Sequence, residues 1–319
     1  MIGDDRHGHA MPRPQLLVAA REHARPAWAR RAGAPAGREA RADHRPHASR
    51  RPIDEGKRSV LGVLVDAVDY DAAVAKVLHA ARARQPLGLT ALAVHGVMTG
   101  VHDPLHNARL NSMDVVVPDG QPVRWALNLL YGTRLRDWVS GPELVLRVLR
   151  RMADQGLPVY LYGTTPEILD RLVVSLSRQF PRLRIAGAEP SKFRTSLPGE
   201  ELALAARIQD SGARLVLVGL GCPRQETFVY GMRQHLSLPL MAVGAAFDFH
   251  AGRLRPAPGW MQHSGLAWLW RLGQEPRRLW RRYLITNVDY LIRLLAQAAH
   301  LRQPVPPEPT NQRPESLPM

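Results

Sequence analysis

Leu215-Val216-Leu217-Val218-Gly219-Leu220-Gly221-Cys222-Pro223-Arg224-Gln225-Glu226 is the stretch that decides the fold. Four apolar residues in a row, Leu215 to Val218, suit a strand buried on both faces. Gly219 and Gly221 let the backbone turn at little steric cost, and Pro223 suits the first position of a helix. Such a turn presents free amides at a helix N-terminus, which favours anions and phosphate above all. The glycines by themselves fit an ordinary strand-to-helix turn equally well, because a short glycine motif carries little weight without its context. Polar Gln225 and Glu226 in the first helical turn, beside a buried strand, shift the balance toward a site.

The same order of strand, turn and helix recurs along the chain. Val60 to Val65 is a short apolar run expected as a first strand, and Val74, Val77, Leu78 and Ala81 then repeat at helical spacing. Leu87 to His95 is expected as a strand ending at His95-Gly96, with Asp103-Pro104 as the cap and first residue of a helix. Asp114 to Pro118 is a strand that stops at Asp119-Gly120. An acid at the carboxyl end of a strand stands where open α/β sheets place their ligands, although Asp-Gly is also a common turn pair. Gly141-Pro142-Glu143 opens a helix with Val145, Val148, Leu149 and Met152 on one face, closed by Gly156. Val159 to Tyr162 forms a strand, and Gly163-Thr164-Thr165-Pro166 a second phosphate-type turn before another helix. Leu183 to Ile185, a helix after Pro198, and Met241 to Gly244 continue the series. The expected fold is therefore α/β, a Rossmann-like, mostly parallel sheet with helices on both faces.

Asp69-Tyr70-Asp71 matches the Asp-x-Asp that holds a divalent metal on a nucleotide sugar. It stands just before Ala72 and Ala73, where a helix N-cap belongs, so no metal is expected there. Cys222 is the one cysteine, which excludes a disulfide framework and a metal site built of cysteines. A nucleophilic role for it would require a neighbouring base and a lowered pKa.

The 319 residues are 45% hydrophobic, enough for a sizeable core, and the formal net charge is +15. Much of that charge sits at the ends. Residues 1 to 51 carry eleven arginines and five acidic residues, with little apolar surface beyond Leu16 to Ala20. Residues 1–58 are expected to be a disordered basic extension without the pattern of a signal peptide, and 303–319 a proline-rich tail. Between them, 59–252 reads as the α/β domain and 253–302 as a basic helical appendage. In the long helix expected from Pro276, Trp280, Leu284, Val288, Leu291 and Leu295 step along one face. From Arg253 to Arg302 there are nine arginines against Glu275 and Asp289. Basic residues beside Trp and Leu suit an anionic membrane surface; a helix docked on the sheet with a solvated basic rim is the plainer alternative. Nothing approaches the ~20 apolar residues a membrane span needs.

Five segments taken together, VVPDG (116–120), GPEL (141–144), VGLGCPRQE (218–226), GAAFDFHAG (244–252) and GLAWLWRL (265–272) with EPRRLWRRYL (275–284), resemble the WecG/TagA/CpsF glycosyltransferases in order and spacing. The resemblance covers about Ser59 to Ala299. It implies inverting transfer of a sugar from a nucleoside diphosphate donor, UDP being expected, to a polyprenyl-diphosphate-linked sugar acceptor. No bound metal or cofactor is implied. It places such an enzyme in the cytoplasm, peripheral to the inner face of the cell membrane, making exopolysaccharide or another surface glycan, and leaves a homo-oligomer open. By the same resemblance Asp119 matches the catalytic base, with Gly120 and Gln121 beside it. Gly219, Gly221, Pro223, Gln225 and Glu226 match the signature loop, expected at the donor, with Arg224 where lysine is usual. Gly244 and Asp248 match the next motif, and Gly163 and Thr164 are expected to add donor contacts.

Three departures stand out. Ala93-Val94-His95 replaces the usual Thr and Asn, leaving His95 as the stand-in. Trp138 occupies the place of an arginine that helps the leaving group, so Arg134, Arg136 or the appendage's Arg278 is expected to substitute. Ala267 replaces a glutamate. A dinucleotide-binding oxidoreductase is the runner-up, but Gly-x-Gly-x-x-Gly does not follow the first strand. A nucleic-acid binder is disfavoured because the charge gathers in the arm and beside tryptophans, away from any reading module.

Overall fold

The computed structural model describes residues 51–194 and 199–299. The arginine-rich arm through residue 50, Pro198 and the tail from residue 300 lie outside the described residues. Folded structure begins ahead of the expected Ser59. Strand β1 (Asp54–Val60) pairs antiparallel with β2 (Val63–Val68) as a hairpin. The apolar run Val60 to Val65 is therefore not one strand. It conceals a two-residue turn at Leu61-Gly62, where both residues have positive φ, 56° and 86°. Such turns match the twist of the paired strands, and burial of Leu61 hid this one among core residues.

Beyond the hairpin the order is α1 (Tyr70–Ala83), β3 (Leu87–Leu92), α2 (Val94–His102), α3 (Pro104–Asn111), β4 (Val115–Pro118), α4 (Gln121–Tyr131), α5 (Gly141–Asp154) and β5 (Val159–Gly163). Then come α6 (Pro166–Gln179), β6 (Ile185–Glu189), α7 (Glu200–Asp210), β7 (Leu215–Gly219), α8 (Arg224–Met232), β8 (Pro239–Ala242), α9 (Ala246–His250), α10 (Gly259–His263), α11 (Ala267–Gln274) and α12 (Pro276–Ala298). Asp69 does cap α1, its Oδ1 accepting the Ala72 N–H at 2.8 Å. Asp103 caps α3 in the same way, accepting from His106 at 3.0 Å.

Six strands form one sheet in the order β4-β3-β8-β7-β5-β6, and every pair in it is parallel. Parallel pairing buries both faces, and the side chains divide by alternation. Val216, Val218, Leu240 and Ala242 enter one core with residues of α2, α4, α7, α8 and α12. Leu215, Leu217 and Met241 enter the other with α1, α5, α6 and α9. The four strand residues of β7 before Gly219 are fully buried, each contributing ~1.5–3 kcal/mol relative to exposure. This is a Rossmann-like architecture, and its six strand ends all open on one edge.

The appendage packs on the first of these faces. Leu279, Tyr290 and Leu294 of α12 are buried, and the Tyr290 hydroxyl donates to the Pro122 carbonyl at 3.1 Å. Gln297 ties the far end of the helix to the hairpin through Ser59 and Leu61. The stripe read from the sequence is a different one. Trp280, Leu284, Val288, Leu291 and Leu295 all face solvent, joined by Ile285 and Ile292. The helix is thus apolar on two sides and docks by only one.

Candidate active site

Asp119 follows the last residue of β4, and its N–H donates to the Leu92 carbonyl at the end of β3 at 3.1 Å. The residue keeps partial exposure at the sheet's edge. Its carboxyl is nevertheless desolvated, which pushes its pKa up to about 6. Two opposing influences hold the charged form within reach: the Gly141 N–H at the start of α5 and the positive charge of Arg271. Gly141 packs closely on β3, a β-carbon there standing 3.3 Å from Ala91 Cβ. A helix N-terminus favours an anion by its free amides and dipole.

The mouth of α5 is fixed from several directions. Ser140 caps it, accepting from Glu143 N–H at 3.4 Å. The Tyr70 hydroxyl accepts the Ser140 N–H at 2.9 Å and donates to its Oγ at 3.2 Å. Burial holds Tyr70 protonated, and the Asp119 charge adds to that effect. His250 of α9 meets the Pro142 carbonyl at 3.0 Å. Tyr70 and His250 were not expected here from the sequence; Tyr70 lay inside the rejected Asp-x-Asp.

The second part of the edge is formed by β5 and β7. Gly163 and Gly219 end these strands so close together that a β-carbon on Gly163 would lie 2.5 Å from the Gly219 carbonyl oxygen. One on Gly219 would lie 2.5 Å from the Phe247 ring. Thr164, at φ 53°, donates its N–H to that same Gly219 carbonyl at 2.9 Å. After the turn Pro223 is the N-cap of α8, one place earlier than expected, and the Cys222-Pro223 peptide is cis. Arg224 is exposed, with its guanidinium 5.8 Å from the Phe193 ring centroid.

Gln225 and Glu226 turn inward instead of toward a ligand in solution. Gln225 Oε1 accepts the Gly221 N–H at 3.2 Å, and its Nε2 donates to Glu226 Oε1 at 2.8 Å. Glu226, fully buried, also accepts from the Thr90 hydroxyl at 3.0 Å. Gly244 lies against this pair, a β-carbon there falling 3.0 Å from Gln225 Oε1.

His95 belongs to the first turn of α2, not to a strand end. It is half-buried on the same edge as Asp119, and its carbonyl accepts from Thr99. Gly120, at φ 89°, is the N-cap of α4. Gln121 is buried and donates to the His263 carbonyl of α10 at 3.1 Å, binding the appendage to the Asp119 turn. Trp138 packs edge-on against the His263 ring, centroids 5.8 Å apart.

Among the arginines expected to serve the leaving group, Arg134 and Arg136 are exposed on the loop between α4 and α5. Arg278 is in α12, and its side chain lies outside the described residues. The arginine whose charge reaches Asp119 is Arg271 of α11, a residue inside a quoted motif that the spacing did not single out. Its guanidinium lies 5.7 Å from the Phe249 ring centroid and 3.8 Å from Glu275. Glu275 also meets Arg253 at 3.6 Å, and Arg253 binds Asp248 at 2.7 Å. Asp248, expected at the substrate, is thus joined through alternating charges to the cation beside Asp119.

A Rossmann-like sheet with a desolvated carboxylate, a helix mouth and an arginine at its carboxyl edge has its polar groups where α/β enzymes of this architecture place their ligands. The sequence model of the glycosyl transferase WecG/TagA/CpsF family matches residues 58–304. The chain belongs to that family, and its activity is glycosyl transfer. The oxidoreductase alternative falls with that assignment.

Proposed function

We propose that this protein is an inverting glycosyltransferase that moves a sugar from UDP to a polyprenyl-diphosphate-linked sugar at a membrane surface. The observation that carries the reading is Asp119: a carboxyl raised to about 6 yet faced by a helix N-terminus and Arg271. At neutral pH such a group is ionised and still basic enough to take a proton. The acceptor hydroxyl gives its proton to Asp119 as its oxygen bonds to the sugar's anomeric carbon. On the opposite face the bond from that carbon to the diphosphate oxygen breaks, and the electron pair leaves with the nucleotide. One displacement inverts the centre.

Arg271 and the free amides at the strand ends are suited to meet the charge that develops on the diphosphate. Thr164, Gly219, Gly221 and Arg224 frame the donor, and Gln225 with Glu226 supports that frame from beneath. The solvent-facing apolar side of the appendage fits the lipid acceptor. Apolar side chains from Trp280 to Leu295 are exposed there, with exposed Arg277 and Arg281 at the start of the helix, a pattern that suits anionic headgroups. Among the described residues no helix is long and apolar enough to cross a membrane.

The test is transfer from a panel of UDP-sugars to a polyprenyl-diphosphate sugar, comparing the parent with Asp119→Asn and omitting Mg²⁺ and Mn²⁺. Parent turnover without added metal, lost in the variant, is expected; undiminished turnover by Asp119→Asn overturns the role of the base. For the surface, Leu284→Glu with Leu291→Glu should release the protein from anionic vesicles, and unchanged co-sedimentation counts against membrane contact.

A further inference from the structure

Beneath the signature loop lies a polar cluster that glycosyl transfer does not use. His106 of α3, Cys222 of the turn and Glu226 of α8 bring one ligand atom each within 4.8 Å of one another. His106 is 1% exposed and Glu226 fully buried. Neither ring nitrogen of His106 and not the Glu226 Oε2 has a hydrogen-bond partner among the described residues. Buried polar atoms are normally paired, and an unpaired one is costly, the more so when charged. A buried imidazole and a buried carboxylate, each with unpaired atoms and both gathered beside a sulfur, are not the pattern of a settled core.

We propose that His106, Cys222 and Glu226 are the protein ligands of a zinc-type divalent metal ion that clamps the signature loop to α3. An imidazole, a thiolate and a carboxylate form a donor set for Zn²⁺ or Co²⁺, whereas Mg²⁺ and Ca²⁺ prefer oxygen throughout. A tetrahedral zinc with ordinary bond lengths holds such ligands about 3.3–3.6 Å apart. Small side-chain rotations close the remaining distance. The surroundings suit ligation as well. Glu226 Oε1 is already oriented by the Thr90 hydroxyl and the Gln225 amide, as outer partners orient ligating carboxylates. The ion lies under the loop and fastens α3 to the signature turn and the start of α8, remote from it in sequence, so its part is to brace the loop. One cysteine rules out a site of several thiolates; it leaves room for this mixed one.

Co²⁺ titration of the full chain, made metal-free first, tests the site independently of transfer activity. With a single cysteine in the sequence, a thiolate-to-cobalt charge-transfer band in the near ultraviolet reports Cys222 alone. Cobalt held by other histidines gives no such band. The band should saturate at one ion per chain, disappear when Zn²⁺ is added, and be absent in Cys222→Ser. In His106→Gln and in Glu226→Gln, each checked for folding by circular dichroism, affinity should fall at least about tenfold. Zn²⁺ should raise the Tm of the parent and leave that of Cys222→Ser unmoved. A folded parent that shows no band at saturating Co²⁺ overturns the proposal. So does a band of undiminished affinity in whichever of the His106 and Glu226 variants folds.

Discussion

Two acidic residues sit at the carboxyl edge of the same sheet, and they are put to opposite uses. Asp119 follows β4, whereas Glu226, in α8 after β7, reaches across to Thr90 of β3, the strand beside β4. Asp119 keeps an opening to solvent; its carboxyl faces Gly141 and Arg271 and carries a raised pKa. Glu226 is sealed, one oxygen given to Thr90 and Gln225. The difference teaches that proximity to a substrate edge does not make a carboxylate reactive. Access to solvent is what separates the two.

The sharpest way to break this contrast is to neutralise each acid in turn. Asp119→Asn should cost about 10³-fold in kcat, within the range for a lost general base, while leaving the fold intact. It should in fact stabilise the protein at high pH. An Asp whose folded pKa lies above its unfolded value of about 3.9 weakens the fold fully above the higher pKa and not at all below the lower one. The burden is on the order of 3 kcal/mol, from a shift of about two units at 1.36 kcal/mol each. The variant should melt higher than the parent at pH 8 and equally at pH 3; a lower Tm at pH 8 would remove the desolvated carboxylate from the account.

Glu226→Ala should behave in the reverse sense. The Thr90 hydroxyl and Gln225 amide lose their acceptor inside the protein, costing about 2–4 kcal/mol in urea unfolding. Any fall in transfer should track the unfolded fraction or a weaker donor KM. Loss of kcat in fully folded Glu226→Ala would erase the distinction between the two acids.

A pH profile of kcat/KM sharpens the comparison further. It should fall below an apparent pKa near 6, about tenfold per unit, as Asp119 takes up its proton. The smallest effect expected is that of Arg271→Ala. Removing a nearby cation favours the protonated acid, so the midpoint should move up by less than about one unit, with a modest loss of kcat. A downward shift would mean that Arg271 does not act on Asp119.

Much of this was legible in the sequence because it is written in local patterns. Leu215 to Val218 read as a strand buried on both faces, and the alternation of its residues between two cores bears that out. Asp69 or Asp71 read as the cap of α1, and it is Asp69; Asp103 read as a cap and is one. Where local pattern and tertiary context diverged, the sequence misled. The hairpin turn at Leu61-Gly62 was hidden by a buried leucine at positive φ. Leu87 to His95 looked like one strand because the first turn of α2 is as apolar as the strand before it. The stripe on α12 was read correctly as a stripe, but periodicity does not say which of two apolar faces meets the core. Arg271 and the inward turn of Glu226 depend on contacts between segments remote in the chain, which no spacing rule encodes.

The charge relay from Asp248 through Arg253 and Glu275 to Arg271 has a consequence in time. The carboxylate at residue 119 is synthesised long before the cation at residue 271 that tempers it. The sheet and the signature loop both precede α11 in the chain. Until that helix emerges and Glu275 gathers both arginines, Asp119 lacks its counter-charge and Gln121 lacks the His263 carbonyl. The counter-charge at Asp119 and the acceptor for Gln121 thus both come from segments that follow the whole sheet in the chain.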